Sequence, residues 1–475
     1  NRPAIEIAAD KLWVSDMELI LEKGADINAT CDQGSTALIQ YARLRYTEGL
    51  EMLISRGADI HISSQKWGTA LHAAASRGFT EGCKLLQEAG ADVNQVAGDF
   101  GTALQAACSG GHEDNVQQLL YYGADVNLQP ANGKYGYPLH AAANACETAI
   151  LDKLLDEYGA NVHLEGGMYG FALIAAAAGE WPKSAYNTAL SLLDHGADVS
   201  AIASDGIFIS AIAAAAFENN NDLLKLLIER GGDVHQAGGK YGSPLICATI
   251  KTPKEADETD DDDTTSDNCF DTLLLHGVDV NYRSSGRYHT ALIAAAYFDR
   301  HDYVLKLLDR GADIRISCDG PYRSAIAAAA IKGNQKILEK FLEMNPPNQL
   351  LDDALVESCA HRQSTSVKSL LQKGANVYAR HPQLGTPMDA LNNSQPDAYN
   401  SDDESDDDSD DDSSDEDSDD EDVDWEGDGK SIAESDAESV SDVPDEEGDS
   451  EEIKIRKLLE EMMQRVKRNP TIKRF

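Results

Sequence analysis

Residues 69–94 read TALHAAASRGFTEGCKLLQEAGADVN, and residues 102–127, one period further on, read TALQAACSGGHEDNVQQLLYYGADVN. The closing Gly-Ala-Asp/Asn-apolar signature recurs at Gly24, Gly57, Gly90, Gly123, Gly159, Gly196, Gly311 and Gly374. Variants stand at Gly231 and Gly277, and Asn345 holds the slot in one decayed copy. The first three intervals are equal and set a period of roughly 33 residues, later ones are mostly a little longer, and about 11 copies result. An opening signature stands at one fixed distance before most of these closing positions, at Thr36, Thr69, Thr102, Thr290 and Ser324, and further ahead at Ser243. A partial twelfth copy opens at Thr386 and stops short. A chain of 475 residues with so short a period is one open array, because a single unit buries its apolar face only against its neighbours.

Each residue type in the unit has a physical reason. The Thr or Ser oxygen caps free N–H groups at a helix start, and the Ala or Pro that follows suits the first turn. Alanine runs such as Ala73 to Ala75, Ala175 to Ala178 and Ala213 to Ala216 keep the first helix thin, so that neighbouring copies approach closely. Larger residues, such as Leu119 and Leu120 or Leu307 and Leu308, fill the second helix just before the closing glycine. That glycine takes the left-handed conformation that ends a helix. Asp or Asn, then Val or Ile, and often Asn lead into an extended turn. The fold class expected is an all-α repeat solenoid of helix-turn-helix units.

With these residues in place, the units resemble the ankyrin repeat, most closely at Thr69-Ala-Leu-His-Ala-Ala-Ala and Tyr137-Pro-Leu-His-Ala-Ala-Ala. The resemblance runs from Pro3 to about Asn393. The connecting segments depart from the common form, reading Gly133-Lys-Tyr-Gly-Tyr-Pro-Leu, Gly167-Met-Tyr-Gly-Phe-Ala-Leu and Gly239-Lys-Tyr-Gly-Ser-Pro-Leu. In this they resemble the ankyrin arrays of filamentous fungi, which often follow NACHT-type nucleotide-binding switch modules. The resemblance implies a numbering that starts inside a longer product, since Asn1 falls in mid-repeat.

Charge divides the chain into an array over 1–396, an acidic Ser/Asp/Glu-rich tail over 397–452 and an amphipathic helix over 453–469. The tail holds 30 carboxylates against one base, Lys430, and accounts for most of the formal net charge of −43. Like-charge repulsion and the lack of a core predict that it is disordered. Ser401, Ser405, Ser409 and Ser418 each have an acid three residues on, the pattern acidophilic protein kinases phosphorylate. Ile455, Leu458, Leu459, Met462, Met463 and Val466 lie on one face of a helix too short to be stable alone, which docks on the last repeat, a second copy or a partner. Bases beside them, including Lys454, Lys457 and Arg465, are attracted to the acidic stretch.

An insertion over about 251–267 separates the two helices of the copy that runs from Ser243 to Gly277. Its carboxylates, Glu255, Asp257, Glu258 and Asp260 to Asp263, lack the alternating ligands and central glycine of a calcium loop and read as a solvated acidic loop. An aromatic stands two residues before the cap in eight successive copies: Trp67, Phe100, Tyr135, Tyr169, Phe208, Tyr241, Tyr288 and Tyr322. One reading makes this ladder a row of rings for an extended partner. The other has each ring pack on the next turn, which its regularity favours. His72 and His140 occupy the fourth place of the repeat motif, suited to bonding turn backbone. The eight cysteines form no CxxC and no cluster, and most read as small buried fillers. Phosphate-loop mimics at Gly238-Gly-Lys-Tyr and Gly427-Asp-Gly-Lys-Ser both fail on spacing, and no hydrolase or metalloprotease motif is present.

These observations point to a non-catalytic, intracellular, cytoplasmic or nuclear scaffold with no cofactor, metal, membrane span or direct nucleic-acid contact. It binds a protein or peptide on the concave face and turns of the array. Two other functions follow from the same residues: the ligand-sensing end of a NACHT-type immune switch, and a chaperone that holds basic nuclear proteins on its acidic tail.

Overall fold

The computed structural model describes residues 14–31, 33–130, 133–204, 206–251, 268–286, 288–318, 322–393 and 450–468. The insertion from 252 to 267 and the candidate phosphorylation sites Ser401, Ser405, Ser409 and Ser418 lie outside the described residues. The chain divides into two compact units, Asn1–Ala325 and Ile326–Phe475.

Among the described residues every named regular element is a helix. The first unit runs α1 (Val14–Glu22), α2 (Ala37–Arg43), α3 (Thr47–Ser55), α4 (Ala70–Ser76), α5 (Thr80–Glu88), α6 (Ala103–Ser109), α7 (Glu113–Tyr121), α8 (Pro138–Asn144) and α9 (Thr148–Asp156). It continues with α10 (Ala172–Ala177), α11 (Pro182–Asp194), α12 (Ala211–Phe217), α13 (Asn221–Glu229), α14 (Pro244–Ile250), α15 (Cys269–Leu275), α16 (Ala291–Tyr297) and α17 (His301–Asp309). The second unit takes up α18 (Ala325–Lys332) from its second residue and holds α19 (Gln335–Glu343), α20 (Asn348–Ala360), α21 (Ser364–Lys373), α22 (Pro387–Asn393) and α23 (Glu451–Arg468). Up to α22, even numbers are the first helices of their copies and odd numbers the second.

The sequence pattern sets this alternation. Thr36 caps α2 by accepting the Ile39 N–H at 3.3 Å, and Thr102, Ser210, Ser243 and Thr290 cap their helices in the same way. Tyr137 and Phe171 hold that position in two copies and give no side-chain cap. From α2 to α16 each first helix packs on the next, through residues as small as Ala106, Ala142 and Ala176, all fully buried. Second helices from α3 to α15 form a parallel layer with the larger side chains, Leu53, Leu86, Leu119, Leu154 and Leu192 among them, inside. α14 and α16 stay packed together, so the 252–267 insertion leaves the stack unbroken.

Each copy ends as the closing residue requires. Ten closing glycines have φ between 69° and 108°, and Asn345 takes 51° in its own slot. A Cβ added at Gly24, Gly57, Gly90 or Gly123 would meet nothing within 4 Å, so glycine is there for its conformation and not for space. No described helix is long and apolar enough to cross a membrane.

Candidate partner-binding surface

The ladder aromatics stand at the tips of the turns that join one copy to the next, and the tips are tied together through backbone. The Asp99 N–H donates to Lys66 O at 3.2 Å, Lys134 N–H to Asp99 O at 3.2 Å, and Met168 N–H to Lys134 O at 3.0 Å. Ile207 N–H donates to Met168 O at 3.0 Å and Lys240 N–H to Ile207 O at 3.3 Å. Six copies are thus linked by one row of bonds, each from the residue just before a ladder ring. The row explains the glycine-rich connecting segments: a Cβ at Gly98 would sit 2.4 Å from Gly68 N, and one at Gly167 would sit 2.2 Å from the Tyr135 carbonyl carbon. Side chains there would force the tips apart.

The eight rings of the ladder, six of them on this row, divide into two sets. Trp67, Phe100, Tyr135 and Tyr169 are half-buried. Arg43 and Lys66 lie 5.4 and 5.1 Å from the Trp67 ring centre, and Lys134 lies 5.5 Å from that of Tyr135, so these tips present aromatic and cationic groups together. Burial against its neighbours, with a further contribution from Tyr135, pushes the Tyr169 phenol up to about 12. Phe208, Tyr241, Tyr288 and Tyr322 are instead buried, at 5, 8, 2 and 7% exposure. Tyr241 stacks on Phe217 at 4.9 Å, and Tyr288 lies parallel to Tyr322 at 5.6 Å, with Tyr297 4.3 Å from the latter. The change follows bulk at the first-helix C-terminus: Phe217, Tyr297 and Phe298 cover the later rings, where earlier copies have Ser76, Ser109 and Asn144.

His72 and His140 face inward beneath the same turns. Nδ1 of His72 accepts the Thr69 N–H at 3.3 Å, which leaves its Nε2–H to donate to Gly101 O at 3.3 Å, in the following copy. His140 lies among the carbonyl oxygens of Tyr135, Gly166 and Leu164 at 3.1 to 3.2 Å. Burial lowers both imidazoles to about 4, against the weaker opposing pull of these backbone bonds. Uncharged, with their ring nitrogens turned on backbone, they stitch turns together. Six cysteines are buried, and burial pushes the thiols of Cys83, Cys247, Cys269 and Cys359 up to about 12, which keeps them protonated and poor nucleophiles. Among the described residues no three His, Cys, Asp or Glu side chains lie together as a metal site would need.

Two features of this surface escape sequence reasoning. Asn94 Oδ1 accepts the Asp125 N–H at 2.8 Å while its Nδ2–H donates to Gly123 O at 3.1 Å, and Asn127 and Asn281 make the same two bonds to their following copies. The recurring Asp-x-Asn was visible, but nothing in it shows a side chain reaching forward one repeat. Trp181, 69% exposed, stands at the start of the lengthened α11, beside a cleft of about 670 Å³ between α11 and α13 lined by Pro182, Lys183, Tyr186, Asn220 and Leu226.

Paired helices, left-handed closing glycines and hydrogen-bonded turn tips are all present over α4 to α7. Residues 62–130 match the family model for ankyrin repeats (3 copies). The described residues form an all-helical repeat fold, ankyrin repeats are found in it over 62–130, and ankyrin repeats generally mediate protein–protein interaction. A search of curated proteins finds no match to the chain.

Proposed function

We propose that the chain is a non-catalytic recognition scaffold, and that its partner meets the row of turn tips bearing Trp67, Phe100, Tyr135 and Tyr169. The observation that carries this reading is the pairing of half-exposed rings with Arg43, Lys66 and Lys134 on a row fixed by backbone bonds. Rigid aromatic anchors with adjacent cations lose little entropy on binding and suit a protein or peptide segment that carries both apolar and acidic side chains. The buried rings from Phe208 onward serve packing. Affinity purification of the wild-type chain against a Trp67→Ala/Tyr135→Ala chain tests this: the specific interactors should be lost while the thermal transition stays within a few degrees. Retention of the same interactors by the double variant would sink the proposal.

The resemblance to fungal arrays supports a second reading, in which the array is the ligand-sensing part of a NACHT-type switch in an intracellular protein. A transcript that encodes a phosphate-loop domain upstream of Asn1 would support it, and a start codon just ahead of Asn1 would end it. The 30 carboxylates of 397–452 support a third, the holding of basic nuclear proteins. Histone binding that survives replacement of the acidic residues would end that one.

A further inference from the structure

The twelfth copy opens with Thr386 as cap, where Thr386 and Asp389 exchange bonds at 3.0 and 3.3 Å, and with α22 as first helix. In complete copies, as with α6 and α7, the next element is a second helix that packs on its own first helix and on the second helix before it. α23 occupies that place: it packs on α22 and on α21. Arg456 bonds Asn392 at 2.7 Å, Glu452 pairs with Arg362 at 3.5 Å, and Glu451 accepts the Ser364 N–H at the start of α21 at 3.3 Å. Ile455 and Leu459 are fully buried.

The sequence carries the same assignment independently. Second helices hold an apolar-x-Lys-Leu-Leu core, as in Leu151-Asp-Lys-Leu-Leu of α9 and Val304-Leu-Lys-Leu-Leu of α17, and α23 reads Ile455-Arg-Lys-Leu-Leu. Two differences fit an element at the end of the stack. The buried stripe is turned by one residue, with Leu459 inside where α17 buries Leu307, and Met462 replaces the closing glycine, so the helix runs on to Arg468.

We infer that α23 is the second helix of the twelfth repeat, and that residues 394–450 are an insertion within that repeat and not a tail. Its place in the unit, between first and second helix, is the place where the copy from Ser243 to Gly277 carries its own acid-rich insertion, 252–267. The acidic segment is therefore held at both ends by the array. A partner of basic chemistry that engages it binds a closed loop, and removing everything after residue 396 also removes half a repeat.

Three variants that keep α23, two of them full-length, test this by hydrogen exchange over α21 and α22. Leu459→Asp, which puts a charge at a fully buried site, should speed exchange in 387–393 roughly tenfold or more. Glu460→Lys, at an exposed position of the same helix, should leave it within threefold of wild type. Replacing 400–445 with a short Gly/Ser linker should also leave it unchanged, because the helix still reaches its seat. A chain ended at 396 should regain protection when a 450–468 peptide is added. Unchanged exchange in Leu459→Asp, or deprotection by the linker as large as in that variant, would overturn the assignment.

Discussion

Tyr288→Ala separates the two parts of the aromatic ladder most sharply. Tyr288 is 2% exposed and touches three rings, Tyr297 at 5.6 Å, Phe298 at 5.2 Å and Tyr322 at 5.6 Å with planes 7° apart. Truncating a buried aromatic costs about 3–5 kcal/mol, of which each lost ring contact accounts for about 0.5–1.5 kcal/mol. In a repeat array this loss falls first on the copies that share the rings, so it shows as local opening of α16 and α17 before global unfolding. Hydrogen exchange of their slowest amides should speed up by roughly two to three and a half orders of magnitude, since about 1.4 kcal/mol is a factor of ten. Trp67→Ala, at a half-buried ring faced by two cations, should cost only about 1–2 kcal/mol at α4. If Tyr288→Ala leaves α16 within threefold of wild type, or Trp67→Ala loosens its copy as much, the division of the ladder into packing and binding rings is wrong.

Acid should destabilise the array through His72 and His140: both are lowered to about 4 when folded, while the unfolded chain takes up protons near 6.5, so their contribution is whole above pH 6.5 and is lost as pH falls toward 4. Each contributes at most about 1.4 kcal/mol per pH unit in that window. Urea titrations should show a shallower loss for His72→Gln, which copies the capping pair of Thr102 and Gln105 one repeat on; an unchanged slope would count against it. Gly123→Ala meets no atom but sits at φ 90°, and thermal unfolding should register about 1–2 kcal/mol. Gly98→Ala, with backbone 2.4 Å from the new carbon, should cost more; the reverse order would refute the distinction between glycines kept for conformation and for close approach. Incubation with an acidophilic protein kinase should add phosphate at Ser401, Ser405, Ser409 and Ser418, located by peptide mass mapping, and labelling confined to the array would contradict the site assignment.

The repeat was legible because its determinants are local. Cap, alanine run and closing glycine each act within a single copy, so spacing alone located α4 to α7. What acts between copies was not legible. Whether a ladder ring is covered depends on Phe217, Tyr297 and Phe298, at the ends of first helices, and no period in the ring positions reports it. The forward reach of Asn94 to Asp125 and the backbone bond from Asp99 to Lys66 each join neighbouring copies and leave no mark beyond the repeat itself. The seat of α23 was legible only in part: the last repeat stood among its three docking places and Ile455-Arg-Lys-Leu-Leu repeats the core of α9 and α17, but the whole of 394–450 stands between it and the first helix it packs against.

The row of turn tips has a consequence for how such a protein changes its ligand. The five links of the row run through main-chain N–H and C=O, so they form whichever side chain stands at the tip. The chain itself shows the freedom this gives, with Lys66, Asp99, Lys134, Met168, Ile207 and Lys240 at equivalent stations. A cation, an anion, a thioether and a branched hydrocarbon all stand beside the same main-chain link. Drift in specificity is thereby uncoupled from drift in stability, and a combinatorial library confined to these six codons would explore new ligands on an unchanged frame.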